Sequence, residues 1–163
     1  MERERTDKMI RRAKAKDLER INELLFQVLT VHAEGRPDIF IPGTKKYTDE
    51  ELLKIITDDS TPIFVYEDQQ GIVQGYAFCI FEETKGVINM RDMMTMYIDD
   101  ICVDEKARGQ HIATELYEYV KTFAKASGCY RITLNVWELN ETAGKFYEAM
   151  GMKPLKTTME TIL

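Results

Sequence analysis

Long apolar runs are missing from this 163-residue sequence, since none approaches the roughly 18 residues that a membrane-spanning helix requires. The opening residues, MERERTDK, carry charge in place of the apolar segment of a secretory signal. We therefore expect residues 1–8 to form a charged tail and residues 9–163 to form one domain. We also expect a cytoplasmic protein without a membrane partner.

Basic stretches are missing as well. Lysine and arginine total 22 against 28 aspartates and glutamates, which gives a net charge of −6. No basic run has the length of a nucleic-acid-binding patch, so we expect no nucleic-acid partner. An acidic surface favours a cationic small molecule or a basic peptide instead.

Cysteine and histidine are scarce. The cysteines, Cys79, Cys102 and Cys129, are odd in number and widely spaced, and such a pattern does not indicate a disulfide framework. With only His32 and His111, the sequence offers no histidine-rich ligand set, and we expect no metal. The cysteines are predicted to be buried, reduced thiols.

What is present is an ordinary globular composition, with 44% hydrophobic and 31% charged residues and a length suited to one core. Apolar residues recur at helical spacing between Asp17 and Leu29, and Thr48 followed by Glu51 predicts the capped start of a second helix. Strands are predicted in KMIRRA, PIFVYED, IVQGYAFCIFEE, MMTMYIDDICV, YRITLNV and, at the end of the chain, MKPLKTTMETIL.

Two further helices complete the pattern. One follows the turn RGQHIA and ends near Gly128, and the other is capped by Asn140 and closed by Gly151. The resulting order, β-α-α-β-β-β-α-β-α-β, predicts a single α/β domain around a mixed sheet.

The turn RGQHIA has the features of an anion site. Gly109 allows the chain to turn closely, and the amide groups of the first helical turn lack partners within the helix. Together with Arg108 and the positive end of the helix dipole, these groups predict a cradle for a phosphate or pyrophosphate. A plain strand-to-helix turn with a surface arginine is the alternative.

This turn resembles the acetyl-CoA turn of the GNAT-type N-acetyltransferase superfamily, R/Q-x-x-G-x-G/A, with Arg108, Ile112 and Ala113 matching. The segment NETAGKFYEAMGM is similar to the second half of that family's signature, N-x-x-A-x-x-F-Y-x-x-x-G-[FM]. The resemblance runs from Met9 to Leu163 and implies a GNAT-like domain with a mixed, mostly antiparallel sheet flanked by about four helices. It also implies an N-acetyltransferase that moves the acetyl group of acetyl-CoA to a primary amine of a small molecule or peptide.

The resemblance further implies which residues hold acetyl-CoA. It implies that a splayed strand end binds the pantetheine arm and that the turn binds the pyrophosphate. Two residues of the second motif also contact the coenzyme. The residues implied are, in this order, Ile101, Cys102 and Val103, then Arg108, Gly109, Gln110, His111, Ile112, Ala113 and Thr114, and finally Asn140 and Ala143. His111 departs from the pattern because it stands where the family usually has glycine. A positive φ would strain a histidine there, whereas a helical turn would make the substitution harmless.

Acetyl transfer to an amine also needs a base and a proton donor for the leaving thiolate. Asp99 and Asp100 are the candidate bases, and in a regular strand they point to opposite faces unless a bulge re-aims them. The stretch YIDDICV is similar to the Y-x-E-D-x-x-V of diamine acetyltransferases, which ranks Asp99 first. The resemblance makes Tyr147 the general acid, whereas periodicity alone is equally consistent with a core aromatic.

The acceptor pocket is expected from the first two helices and the loop between them. Glu34, Arg36, Asp38 and Phe40 are its candidate contacts, and a structured loop with no binding role is the alternative. For the whole protein, a non-catalytic CoA-binding or regulatory module is the alternative to the enzyme, and a partner-binding domain without a ligand is a third interpretation. A homodimer is also expected, as the commonest soluble oligomer.

Overall fold

A computed structural model describes residues 9–163, so the predicted charged tail, residues 1–8, lies outside the described residues. Within this range the chain forms β1 (Ile10–Arg12), α1 (Leu18–Gly35), α2 (Asp49–Thr57), β2 (Ile63–Glu67), β3 (Val73–Thr84), β4 (Met93–Val103), α3 (Ile112–Ala126), β5 (Arg131–Leu134) and α4 (Glu141–Ala149). Single 3-10 turns, Ala15–Asp17 and Glu105–Ala107, lead towards α1 and α3.

The strands form one sheet in the order β1-β2-β3-β4-β5. The first three pairings are antiparallel and the last, β4 with β5, is parallel. A parallel neighbour needs a crossover connection, and α3 supplies it. The predicted class, a single α/β domain with a mixed and mostly antiparallel sheet and four helices, is confirmed.

Helices cover both faces of the sheet, and each face has its own core. On one face, Leu24 of α1 and Leu52 of α2 pack with Val65 and Tyr76 of the sheet. On the other, the α3 residues Ile112, Leu116 and Val120 pack with sheet residues that include Phe64 and Met96. The spacing of these helical residues matches the periodicity of an amphipathic helix, which is why the sequence predicts them well.

The predicted helix ends are present. The Thr48 side chain accepts a hydrogen bond from the Glu51 amide (3.1 Å), and the Asn140 side chain accepts one from the Ala143 amide (3.2 Å). Gly128 and Gly151 follow α3 and α4 with φ of 80° and 89°, a conformation that costs glycine little. These local signals fix where the helices begin and end.

The predicted last strand is wrong: residues 152–163 carry no strand. Within the described part of the chain, the backbone of residues 153–163 makes no hydrogen bond, and Leu155, Met159 and Ile162 are exposed. A strand exists only through a partner strand, and β5 leaves its outer edge free of this segment. An ion pair between Arg36 and Glu160 links the segment to the loop after α1.

Candidate active site

The sheet opens between β4 and β5. Their pairing runs from Thr95 opposite Arg131 to Ile98 opposite Leu134 and then stops. Strand β4 continues to Val103 with β3 as its only partner strand among the described residues. The edge of Ile101–Val103 that faces away from β3 is therefore free of a partner strand, so its polar groups are available to a ligand.

The turn at residues 108–114 follows β4 directly. Gly109 has φ of 81°, and His111, which immediately precedes α3, has φ of 61° and ψ of 20°. The harmless helical alternative for His111 is therefore excluded, since this is the left-handed region that glycine tolerates best. No hydrogen bond within residues 9–163 uses the amide groups of residues 109–114, and Arg108 is exposed. Unpaired amides at a helix N-terminus can bind an anionic group.

A β-bulge changes the direction of β4 at the two aspartates. Phe78 of β3 lies opposite Asp100, but the next residue, Cys79, lies opposite Ile98, so Asp99 is the additional residue. The faces of β4 switch at this point: Ile98 packs in the core on the α3 side, whereas Cys102 packs on the α1 side. A regular strand would place Ile98 and Cys102 on one face. The bulge that the sequence analysis left open as an exception is therefore present, and Asp99 and Asp100 both line the same cavity.

Asp100 is half-buried, and a neighbouring tyrosine holds its carboxylate. The fully buried Tyr76 donates its hydroxyl to the Asp100 carboxylate at 2.5 Å. Burial raises the pKa of Asp100 to about 6, against the opposing effect of the Tyr76 hydrogen bond, and the neighbouring charge of Asp99 raises it further. A carboxylate with a pKa in this range is suited to accept a proton near neutral pH.

Asp99 has a different environment. Its carboxylate accepts a hydrogen bond from the Lys46 ammonium at 2.9 Å, and its side chain is 21% exposed. Burial disfavours the charged form of Lys46, but the Asp99 hydrogen bond and charge outweigh it, so the pKa of Lys46 is raised. Lys46 remains a cation at neutral pH and neutralises Asp99.

Tyr147 lies on α4, close to the ring of Tyr117 (6.5 Å between centroids). Its phenol makes no hydrogen bond within the described residues. Burial raises the pKa of Tyr147 well above its usual value, and the charge of Asp100 raises it further. The phenol therefore keeps its proton at neutral pH, as a proton donor must.

One cavity of about 700 Å³ joins these groups. The residues singled out from the sequence that line it are Phe40, Asp99, Asp100, Ile101, Asn140, Ala143 and Tyr147. The carboxylates, the phenol and Ile101 at the start of the free edge of β4 therefore border one space. Cys102, Val103 and the 108–114 turn lie outside this lining.

Three of the four predicted acceptor contacts lie elsewhere. Arg36 pairs with Asp38 at 2.8 Å and with Glu160, on an exposed surface. Glu34 lines a separate groove beside α1, together with Arg108. Phe40 alone among the four reaches the cavity, where its ring lies 5.1 Å from that of Trp137.

Several cavity residues were missed from the sequence. Lys46, His32 and Trp137 come from the loop before α2, from α1 and from the segment after β5, and they carry no motif that sets them apart. From the sequence, Tyr76 is indistinguishable from the other apolar residues of β3, although its hydroxyl donates a hydrogen bond to Asp100. Only the fold brings these side chains together.

Cys102 is an inert thiol in this structure. Its sulfur contacts the Leu24 carbonyl at 3.6 Å, and burial raises the pKa of the thiol to about 12. A nucleophilic cysteine needs a thiolate, which this environment disfavours. Cys79 is buried as well and Cys129 is half-buried, and all three cysteines are free.

Among residues 9–163 no three histidine, cysteine, aspartate or glutamate side chains gather closely enough to hold a metal ion. In the same range no helix has the length and apolar character needed to cross a bilayer.

Comparison with known proteins identifies the family and the fold of the chain. The profile of the acetyltransferase (GNAT) family matches residues 28–152. A solved variant of the BH1408 protein from Bacillus halodurans superimposes with a TM-score of 0.91 at 30% identity, covering 94% of this chain and 98% of that one.

Two more distant likenesses carry names that describe an activity. Glucosamine 6-phosphate N-acetyltransferase from Arabidopsis thaliana is 32% identical over 56 residues, which cover 34% of this chain and 36% of that protein. Its solved structure has a TM-score of 0.64 at 22% identity, covering 94% of this chain and 96% of that one. An aminoglycoside N-acetyltransferase in complex with CoA has a TM-score of 0.66 at 16% identity, over 94% and 93% of the two chains. At these identities the superpositions show a shared fold.

Proposed function

The chain belongs to the acetyltransferase (GNAT) family, and we propose that it transfers the acetyl group of acetyl-CoA to a primary amine by direct attack of the amine on the thioester. The observation that carries this proposal is one cavity in which Asp99, Asp100 and Tyr147 lie together with Ile101, the residue at which the free edge of β4 begins. A base, a proton donor and free backbone groups in one space are what amine acetylation requires.

The residues present fit a coenzyme. The unpaired amides of residues 109–114 and the exposed Arg108 suit a pyrophosphate, and the free edge of Ile101–Val103 suits an amide-containing arm. Asn140 and Ala143 line the cavity at the start of α4. When bound, acetyl-CoA supplies the acetyl group as an activated thioester.

Asp100 is our candidate for the base. It replaces Asp99, which the similarity of YIDDICV to the diamine acetyltransferase motif ranks first. The pKa of Asp100, raised to about 6 chiefly by burial, leaves it ionised yet basic at neutral pH. Asp99 already shares its charge with Lys46. Asp99 therefore holds Lys46 in place, and the charge of Asp99 raises the pKa of Asp100 while the charge of Lys46 lowers it.

Tyr147 is our candidate for the acid. It keeps its proton at neutral pH because burial, reinforced by the Asp100 charge, raises its pKa. Without a hydrogen-bond partner in the described protein, its hydroxyl is free to donate to a leaving group in the cavity.

The proton balance follows from these roles. The carbon–nitrogen bond forms and the carbon–sulfur bond breaks, while one proton of the neutral amine passes to Asp100, directly or through water. Tyr147 gives its proton to the departing sulfur. Exchange with solvent then returns both side chains to their starting states, so that one amide and one thiol form in each cycle.

Thiol release from acetyl-CoA in the presence of a panel of primary amines tests this function. We expect thiol release that depends on the presence of the amine. Calorimetry should detect binding of acetyl-CoA when no amine is present. Binding without release for any amine would support a non-catalytic CoA-binding module instead. Absence of binding would contradict both.

A further inference from the structure

Exposed apolar side chains surround part of the cavity. Phe26 of α1 is 54% exposed, Ile41 of the following loop is 69% exposed, and Trp137 after β5 is 41% exposed. Ile39 and Val136 in the same lining are also exposed. Apolar groups gathered at the surface of a cavity mark a place where an apolar ligand excludes water.

Three rings form a continuous surface within this lining. The rings of His32 and Phe40 lie 5.1 Å apart, those of Phe40 and Trp137 lie 5.1 Å apart at 71°, and those of His32 and Trp137 lie 6.2 Å apart. We call His32, Phe40 and Trp137 the aromatic wall. Burial, with a smaller effect of the Lys46 charge, lowers the pKa of His32, so the wall is uncharged at neutral pH.

The charged groups of the cavity already have partners within the protein. Lys46 is held by Asp99 at 2.9 Å, and Lys45 by Asp49 at 3.2 Å. Asp100 is the remaining carboxylate of the lining, and it accepts the Tyr76 hydroxyl. A phosphorylated acceptor needs a free cation, and a polyamine needs a second free carboxylate. Within the described lining neither is present.

We propose, on the premise of the function proposed above, that the acceptor is an arylalkylamine, a primary amine joined by a short alkyl arm to an aromatic ring. The ring packs against the aromatic wall, where ring–ring contacts add to the area removed from water. The amine extends towards Asp99 and Asp100. A sugar phosphate and a polyamine both fit this cavity less well than an arylalkylamine does, because the charged side chains that would bind them are already paired.

Trp137 provides a direct readout because it is the only tryptophan of the sequence. We would titrate 2-phenylethylamine, glucosamine 6-phosphate and spermidine into the full chain with CoA present and record tryptophan fluorescence. We expect 2-phenylethylamine to bind at least roughly tenfold more tightly than the other two, since one well-packed ring contributes more than a tenfold change requires. Tighter binding of glucosamine 6-phosphate or spermidine would overturn the proposal.

Variants locate the contact. Phe40→Ala should weaken binding of 2-phenylethylamine about tenfold or more, whereas Ile88→Ala, at an exposed apolar residue outside the cavity, should leave it unchanged. Equal binding by the wild type and Phe40→Ala would place the ring elsewhere and contradict the proposal.

Turnover separates this proposal from the one on which it rests. Thiol release with glucosamine 6-phosphate or spermidine, but not with 2-phenylethylamine, would overturn the arylalkylamine and leave amine acetylation standing. Fluorescence-detected binding of 2-phenylethylamine, with no thiol release for any amine of the panel, would overturn acetylation and leave the binding class standing.

Discussion

The 108–114 turn and the aromatic wall are two parts of the proposed site, and the chain builds them differently. The turn offers backbone amides from consecutive residues, placed by two positive φ angles at Gly109 and His111. The wall offers side chains from α1, the following loop and the segment after β5. In the proposed function, coenzyme binding therefore depends on local backbone geometry, whereas acceptor choice depends on side chains that meet only in the folded protein.

The largest effect is expected at Gly109. Gly109→Pro cannot adopt φ of 81° because the proline ring fixes φ near −65°, and it also removes one amide donor. We expect coenzyme affinity, measured by calorimetry, to fall by at least about 100-fold, since the turn that presents the amides is lost. Arg108→Ala should weaken binding less and alter its salt dependence.

Gly86→Pro is the matched control, because Gly86 also has a positive φ, 68°, but lies in the loop between β3 and β4. It should keep normal coenzyme affinity. Unchanged affinity in Gly109→Pro would show that the turn does not bind the coenzyme.

The next largest effect is expected at Asp100, and it should exceed the effect at Asp99. Asp100→Asn should lower kcat about 100-fold, the usual contribution of a general base, and Asp99→Asn should lower it less. For the wild type, the rate should fall as the pH drops through about 6, because Asp100 then takes up a proton. That inflection should be missing from the residual activity of Asp100→Asn. A larger loss in Asp99→Asn would return the base to Asp99.

A smaller effect is expected at His111. A left-handed conformation costs a residue with a Cβ roughly 1 kcal/mol, so His111→Gly should bind acetyl-CoA as well as the wild type or better. Gln110→Gly is the control, because Gln110 has no positive φ for glycine to relieve. Calorimetry on both variants is the measurement, and weaker binding by His111→Gly alone would indicate that the imidazole has acquired a contact of its own.

The smallest effect is expected at Glu160. Glu160→Gln removes one of two carboxylates that pair with Arg36, but Asp38 remains. The loop that carries Phe40 should stay in place, and the acceptor KM should change less than about threefold, as for other exposed ion pairs. Lys156→Gln, with no ion pair in the described structure, is the charge control. A tenfold rise in KM would show that the carboxyl-terminal segment positions the acceptor pocket.

Much of the fold could be predicted because its signals are local. Thr48, Asn140, Gly128 and Gly151 mark helix ends through groups a few residues away, and the strands follow from short apolar runs. The prediction of a final strand was wrong because strand formation depends on a distant partner strand. Residues 152–163 pair with no such strand within the described chain.

The residues of the candidate site divide in the same way between local motifs and distant contacts. The turn and Tyr147 belong to contiguous motifs, but the bulge at Asp99 depends on its pairing with β3, and periodicity alone assumes a regular strand. The contact of Lys46 with Asp99 joins positions 53 residues apart. His32, Phe40 and Trp137 likewise come together only through the fold. Sequence patterns that describe neighbours cannot record such contacts.

Replacement of Tyr147 by phenylalanine tests the central claim most directly, since it keeps the half-buried ring and deletes the hydroxyl. The claim is that Tyr147 donates a proton in the cavity it shares with Asp100. We predict that Tyr147→Phe lowers kcat roughly 100-fold while calorimetric affinity for acetyl-CoA stays within about twofold of the wild type. Normal turnover in Tyr147→Phe would contradict the account and leave the tyrosine as a core aromatic.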